Sequence, residues 1–356
     1  MKVTERLESA DEPLISYEII PPKRGGSAEQ IMGVVEELMP YDPAFIDMTS
    51  HAAEVEYVES GDGTWRRRVM RKRPGTIGLC AAIEARYGVD TVPHLLCKGF
   101  TREESEDALI ELNYLGVDNV MALTGDDPGY KKDIAPSRSR NEYAVELVEQ
   151  INDMNQGTYL DELADTAPTD FCVGVGGYPE KHIEAPNLTW DVLRLKRKVD
   201  AGADYITTQM FFDNDAYFEF VERCRDVGIT VPIIPGMKIL SRKRHLQFLP
   251  SFFHLSIPEA LAAEVEAADD KEEVERIGVE WAIQQAEELM DAGAPAVHFY
   301  IMSSARLAKR VVEPLRENRR KKKGQQAPVE EQPAPEEQPA PEEQPAPVEE
   351  AEEVDE

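Results

Sequence analysis

The sequence predicts an α/β protein, a closed (β/α)8 barrel of the TIM type followed by a disordered acidic tail rich in proline and glutamate. Three observations carry that reading. Eight short β-branched or aromatic runs recur along the chain, separated by polar turns and amphipathic segments of helical periodicity. No GxGxxG motif follows any of these runs, which weakens the nearest alternative, an open doubly wound sheet. Gly174-Val175-Gly176-Gly177 has neither the spacing nor a helix opening on it. Composition then changes near Gly324, beyond which 12 acidic residues and no basic ones occur.

The first strand is expected over 15–20, where Ile15-Ser16-Tyr17-Glu18-Ile19-Ile20 runs into Pro21-Pro22. Neither proline can donate to a sheet ladder, so the strand ends there. The other strands are expected at 44–49, 91–97, 119–125, 171–178, 205–211, 232–237 and 296–302. Helices are expected at 27–39, 102–115, 189–201, 215–227 and 273–292. In the second of these, Ala108, Leu109, Leu112 and Leu115 share a face. In the third, Thr189 reads as the N-cap, Val192, Leu195 and Val199 as the buried face, and Gly202 as the stop. Residues 155–169 read as a loop insertion. The run Arg66-Arg67-Arg68-Val69-Met70-Arg71-Lys72-Arg73 reads as a solvated helical face, with a phosphate contact from one arginine left open. The organisation expected is an N-terminal segment (1–13), a catalytic barrel (14–318), and a basic junction with an acidic tail (319–356). EEQPAP occurs three times from Glu330, and proline at that density opposes both helix and sheet.

Bulk properties narrow the function classes. With 356 residues, 42% of them hydrophobic, the chain can bury a large core. Net charge is −30, of which −18 belongs to the first 323 residues once the 12 acids of the tail are removed. That sign disfavours nucleic acid as the main partner. The four cysteines (Cys80, Cys97, Cys172, Cys224) are scattered without a CxxC, which suits reduced thiols in the cytoplasm and argues against a disulfide framework. With no HxxxH spacing either, no metal site is expected. Neither a signal peptide nor an 18-residue apolar run is evident, so no membrane association is expected.

Chemistry-bearing residues gather at expected strand ends, the side of a barrel where sites form. Glu18 is a carboxylate in an apolar strand. It is either a proton donor kept neutral by burial or the structural partner of a buried Lys or Arg. Met121-Ala122-Leu123-Thr124-Gly125-Asp126-Asp127-Pro128-Gly129 carries a strand into a Gly-Asp turn, which could equally be an ordinary turn. Gly176, Gly177, Tyr178 and His182 could receive a flat ligand, and Gln209 could pair with an amide-like heterocycle edge. His94 is a further polar residue in an apolar strand.

In order and spacing, SYEIIPP, DMTSHAAE, VPHLLC, ALTGDDP, GGYPEKH, LKRKVDAGADYITTQMFFD, PIIPGM and VHFYIM resemble the methylenetetrahydrofolate reductase family over residues 14 to 315. The resemblance implies a TIM barrel that binds FAD. It implies reduction of 5,10-methylenetetrahydrofolate to 5-methyltetrahydrofolate with NADH or NADPH, by a ping-pong route that supplies methyl groups for methionine synthesis. A homo-oligomer is expected. The further regulatory domain of eukaryotic members is not expected in a chain of this length. By matching positions, Glu18 is the implied general acid and Asp126 the implied electrostatic partner of the substrate cation. Gln209 and Arg306 are implied substrate contacts beside them. The implied flavin contacts are Thr49, His94, Leu123, Thr124, Gly125, Asp126, Tyr143, Ala144, Gly176, Tyr178, His182, Asp191 and Lys198.

Two departures stand out. Thr124 occupies a position where the family commonly has arginine. Ile301-Met302-Ser303-Ser304-Ala305-Arg306 replaces the usual Thr-Leu-Asn-Arg, with Arg306 expected to reach back toward the folate. The alternative they allow is a flavin- or folate-binding subunit of a larger complex, inactive alone or fed by a protein electron donor. The partner of the acidic tail is left open.

Overall fold

The computed structural model describes residues 1–126, 129, 132 and 134–326, with side chains described to residue 322. The acidic tail lies outside the described residues from position 327 onward, as do Asp127 and Pro128 of the Gly-Asp turn. Ten strands are described: β1 (Leu14–Ile19), β2 (Ile46–Met48), β3 (Glu54–Glu59), β4 (Trp65–Met70), β5 (Thr91–Leu96), β6 (Asn119–Leu123), β7 (Cys172–Gly177), β8 (Tyr205–Met210), β9 (Ile233–Met237) and β10 (Ala296–Met302). Eight of them close a parallel barrel in the order β1-β10-β9-β8-β7-β6-β5-β2. All eight expected strands are present.

The helices are α1 (Val3–Glu8), α2 (Ala28–Leu38), α3 (Thr76–Tyr87), α4 (Arg102–Leu115), α5 (Ala144–Asn155), α6 (Leu188–Asp200), α7 (Asn214–Asp226), α8 (His245–Phe253), α9 (Glu259–Ala267), α10 (Lys271–Asp291) and α11 (Arg306–Gln326). The apolar faces of α2 to α7, α10 and α11 pack on the outside of the strands and enclose the main core. α4 starts on a capping box in which Thr101 and Glu104 exchange hydrogen bonds, and Gly116 stops it in a left-handed turn. α6 is capped by Asn187, whose side chain accepts from the Trp190 amide, and not by Thr189. Two residues upstream, an asparagine in extended backbone has the better geometry for that acceptor.

α1 closes the amino-terminal end of the barrel. The Met1 ammonium donates to Asp90 and Asp118, just ahead of β5 and β6, and the Val3 amide donates to Asn119. Behind it Val3, Phe45, Val92, Met121, Tyr205 and Ile234 fill the lower interior. Residues Met1–Glu317 form one compact unit.

One expectation is overturned here. The arginine run is not a helical face: Trp65–Met70 is strand β4, paired antiparallel with β3 in a separate two-stranded sheet. A row of three arginines has good helix propensity, but the alternating Glu54-Val55-Glu56-Tyr57-Val58-Glu59 opposite gives it a ladder and opposite charges. Between β9 and α10 the chain adds α8 and α9, which pack with Met210, Phe212 and Leu240 into a satellite core beside the barrel mouth. Among the described residues, no helix is long and apolar enough to cross a membrane.

Candidate active site

Parallel register brings the carboxylates together. Glu18 of β1 lies level with Asp47 of β2 on one side and Tyr300 of β10 on the other. His94 rises from β5, with Nε2 at 3.2 Å from Asp47 Oδ2 and 3.7 Å from Glu18 Oε2. The Glu18 side chain is only 14% exposed. Burial pushes its carboxyl up to about 7; the neighbouring Asp47 charge adds to that rise, while His94 and Lys238 oppose it. Burial alone lowers the His94 pKa, but the Asp47 hydrogen bond and the charges of Glu18 and Asp47 outweigh it, so the imidazole is raised. Glu18 and His94, 3.7 Å apart, are thus both shifted toward their protonated forms.

Two lysines and a histidine complete the polar floor. Lys238, just past β9, is lowered to about 8 by burial, against the pull of Glu18, and donates to the Tyr300 carbonyl at 2.7 Å. Below, His298 is buried and lowered to about 4, with Nδ1 at 2.8 Å from Ser16 Oγ. On the opposite wall, Lys198 of α6 donates to the Gly176 carbonyl at 2.6 Å and is lowered to about 8 by burial, with Asp191 opposing.

Glu18, Asp47, His94, Lys238, His298 and Tyr300 line a cavity of about 980 Å³ at the carboxyl ends of the strands, at the upper end of the range for ligand pockets. Of the expected site residues, Glu18, Thr49, His94, Leu123, Thr124, Gly125, Asp126, Gly176, Tyr178, His182, Gln209 and Arg306 line it. Asp191 and Lys198 stand behind the wall as supports. Asp191 accepts from the His182 amide at 2.7 Å, and Tyr178 meets the His182 ring edge-on at 4.6 Å. Tyr143 and Ala144 do not line the cavity. Tyr143 is 58% exposed, and the Ala144 amide donates to Thr124 Oγ1 at 3.2 Å. Thr124 thus satisfies the first amide of α5, whose own N-cap, Tyr143, supplies no acceptor to it. Gly125 follows with φ +82, a conformation that only glycine adopts freely.

Arg306 lies at the rim with both terminal nitrogens on Glu275, at 2.8 and 2.6 Å, and this fork draws the Glu275 carboxyl down to about 2. The Gln209 side-chain oxygen accepts from the Met210 amide at 3.0 Å, and the residue lines the cavity. Asp47, Lys238, Tyr300 and His298 were not singled out from the sequence. Asp47 carried the same signal as Glu18, a charge inside an apolar strand. Lys238 carried none, because only barrel closure sets it near β1.

The residues present fit a flat, polar cofactor. Thr49 Oγ1 and His51 Nδ1 are buried without a hydrogen-bond partner and belong to residues lining the cavity. A Cβ on Gly176 would meet nothing closer than 3.6 Å, so that strand end leaves its surface open.

The sequence model of the methylenetetrahydrofolate reductase family matches residues 2–316. Methylenetetrahydrofolate reductase (NADH) 1 of Arabidopsis thaliana is 30% identical over 85% of this chain and 49% of its own length. The 5,10-methylenetetrahydrofolate reductase of Escherichia coli is 30% identical over 83% of this chain and 88% of its own length. The chain thus spans about half the length of the plant and fungal relatives it matches. A solved Clostridium thermocellum protein described as binding two copies of 5-methyl-5,6,7,8-tetrahydrofolic acid superposes with a TM-score of 0.53 at 14% identity. That match covers 89% of this chain and 99% of that one, a likeness of fold. With the family's sequence pattern running through every strand of the barrel, the chain belongs to the methylenetetrahydrofolate reductase family.

Proposed function

We propose that this chain reduces 5,10-methylenetetrahydrofolate to 5-methyltetrahydrofolate in the cytoplasm, with FAD as its flavin and NADH or NADPH as the electron source. The observation that carries the reading is Glu18, an enclosed carboxyl pushed up to about 7 at the floor of the cavity, beside His94 and Asp47. When bound, the flavin supplies the two-electron relay between nicotinamide and folate. The protein supplies the proton. Near neutral pH Glu18 is a carboxylic acid in a large share of molecules, and it donates to the folate amine that bridges the methylene carbon. The five-membered ring opens and leaves an iminium cation ready for hydride. Asp126, which lines the same cavity, stabilises that cation through its charge. The amide of Gln209 pairs with the pterin edge. His94, 3.7 Å from Glu18, is close enough to return its proton through a small movement or one water.

Thr49, Gly125, Gly176, Tyr178 and His182 would hold the flavin, with Asp191 and Lys198 fixing the β7 end behind them. Thr124 accepts from the Ala144 amide at the start of α5, so its departure from arginine does not by itself favour an inert subunit. The test is direct. Purified protein, yellow or reconstituted with FAD, should bleach anaerobically with NADH or NADPH and regain colour with methylenetetrahydrofolate. A protein that cannot bind FAD, or whose reduced flavin ignores the folate, would sink the reading.

A further inference from the structure

Lys238 is a partly buried cation to which the proposed reaction gives no task. It follows β9 directly, where Gly236 lets the Tyr300 ring lie close across the strand. A Cβ on Gly236 would fall 2.6 Å from that ring. The Tyr300 hydroxyl donates to the Thr208 carbonyl at 2.6 Å, and the Tyr300 carbonyl accepts from Lys238 Nζ at 2.7 Å. Register sets Tyr300 directly opposite Glu18, and Glu18 and Lys238 line the same cavity. Among the described residues no carboxylate closes on Lys238 as an ion pair. Its hydrogen bond goes to a backbone carbonyl, and its charge is left unmatched.

We infer that Lys238 is a positioning residue that acts through Glu18, its ammonium balancing the carboxylate left when Glu18 gives its proton to the folate amine. The inference rests on the reaction proposed above. Charge accounting singles out Lys238. Asp47 faces Glu18 from β2 and His94 from β5; they lie 3.2 Å apart and largely cancel as a carboxylate and an imidazolium. His298 and Tyr300 stand on β10. Burial lowers the first to about 4 and raises the second well above its ordinary value, so both are neutral near neutral pH. His245 of α8 is lowered to about 4 by burial and by the charges of Lys238, Arg242 and Arg244, so it is neutral too. Arg242 and Arg244 line the cavity ahead of α8, and their charges bear on His245. Lys238 is thus the cation left to balance a second carboxylate beside Asp47. An enclosed carboxylate without a counter-charge is costly, and Glu18 would release its proton less readily.

NMR of the full chain with isotope-labelled glutamate side chains follows the Glu18 carboxyl without substrate, its signal assigned by its loss in Glu18→Gln. Lys238→Gln keeps a donor for the Tyr300 carbonyl and removes the charge, whereas Lys238→Met removes both. In each, the Glu18 midpoint should rise by about one pH unit or more. The alkaline limit of the folate half-reaction should move up with it. A lysine that served only as a tether to Tyr300 would leave the Lys238→Gln midpoint at the wild-type value, and that result overturns the inference. If neither variant folds, labelled lysine decides. The Lys238 midpoint should fall in Glu18→Gln, and an unmoved midpoint overturns the inference. The titration needs no turnover, so a midpoint unmoved in Lys238→Gln fails this inference alone, whereas reduced flavin that ignores folate fails the reaction.

Discussion

Glu18 shows how one side chain acquires a task from its surroundings. Its pKa is raised, so the folded state keeps a proton that the unfolded chain releases above about 4.5, the ordinary value for the group. Between that value and about 7 the unfolded state binds fewer protons, and stability falls as pH rises. The stability tied to this group is fully present below 4.5 and lost once pH passes about 7; it is on the order of 3 kcal/mol. The same loss of proton should cut folate reduction on the alkaline side. Glu18→Gln is expected to lower the folate half-reaction by roughly 10²–10⁴-fold, leave flavin reduction by nicotinamide largely intact, and flatten the stability slope. Stopped-flow half-reactions and urea unfolding across pH measure all three. Folate turnover near the wild-type rate would remove Glu18 from the proposed role.

At the scale of elements, helix α10 holds the wall that carries Lys238. Gly278 sits where α10 crosses the segment after β9, and a Cβ there would fall 1.8 Å from the Leu240 carbonyl oxygen. Alanine is a better helix former than glycine by about 1 kcal/mol. The clash is with backbone, however, and overpacking of that kind costs roughly 1–3 kcal/mol or more. Gly278→Ala is therefore expected to destabilise the protein by roughly 2 kcal/mol, read as a lower urea midpoint at unchanged slope. An unchanged or raised midpoint would mean that the two elements separate at little cost. The three arginines of β4 suit a helix by propensity, and only the antiparallel partner Glu54–Glu59 makes the segment a strand. α8 contains Pro250 and a run of aromatics, a pattern without helical punctuation, and it is held by the satellite core beneath it.

For the molecule as a whole, nicotinamide and folate are assigned one cavity of about 980 Å³ over one set of residues. They would therefore have to use it in turn. Steady-state rates with both substrates varied are expected to give parallel double-reciprocal lines. Intersecting lines would require both substrates bound together and would contradict a shared site.

Local sequence carried the order and number of the barrel strands, because period and turn chemistry are properties of neighbouring residues. Ile15–Ile20, closed by Pro21-Pro22, and the glycine-rich Cys172–Gly177 are plain cases. It also singled out Glu18 and part of the cavity lining, partly from polarity inside apolar strands and partly from family resemblance. Only tertiary structure decided what Glu18 is worth. Its proton affinity depends first on burial in the closed barrel, then on His94, Asp47 and Lys238, which three other strands bring within reach. It likewise decided that Arg306 is held by Glu275 and that Thr124 serves α5. Electrostatic and hydrogen-bond energies fall off over a few ångströms of space, and barrel closure sets those distances.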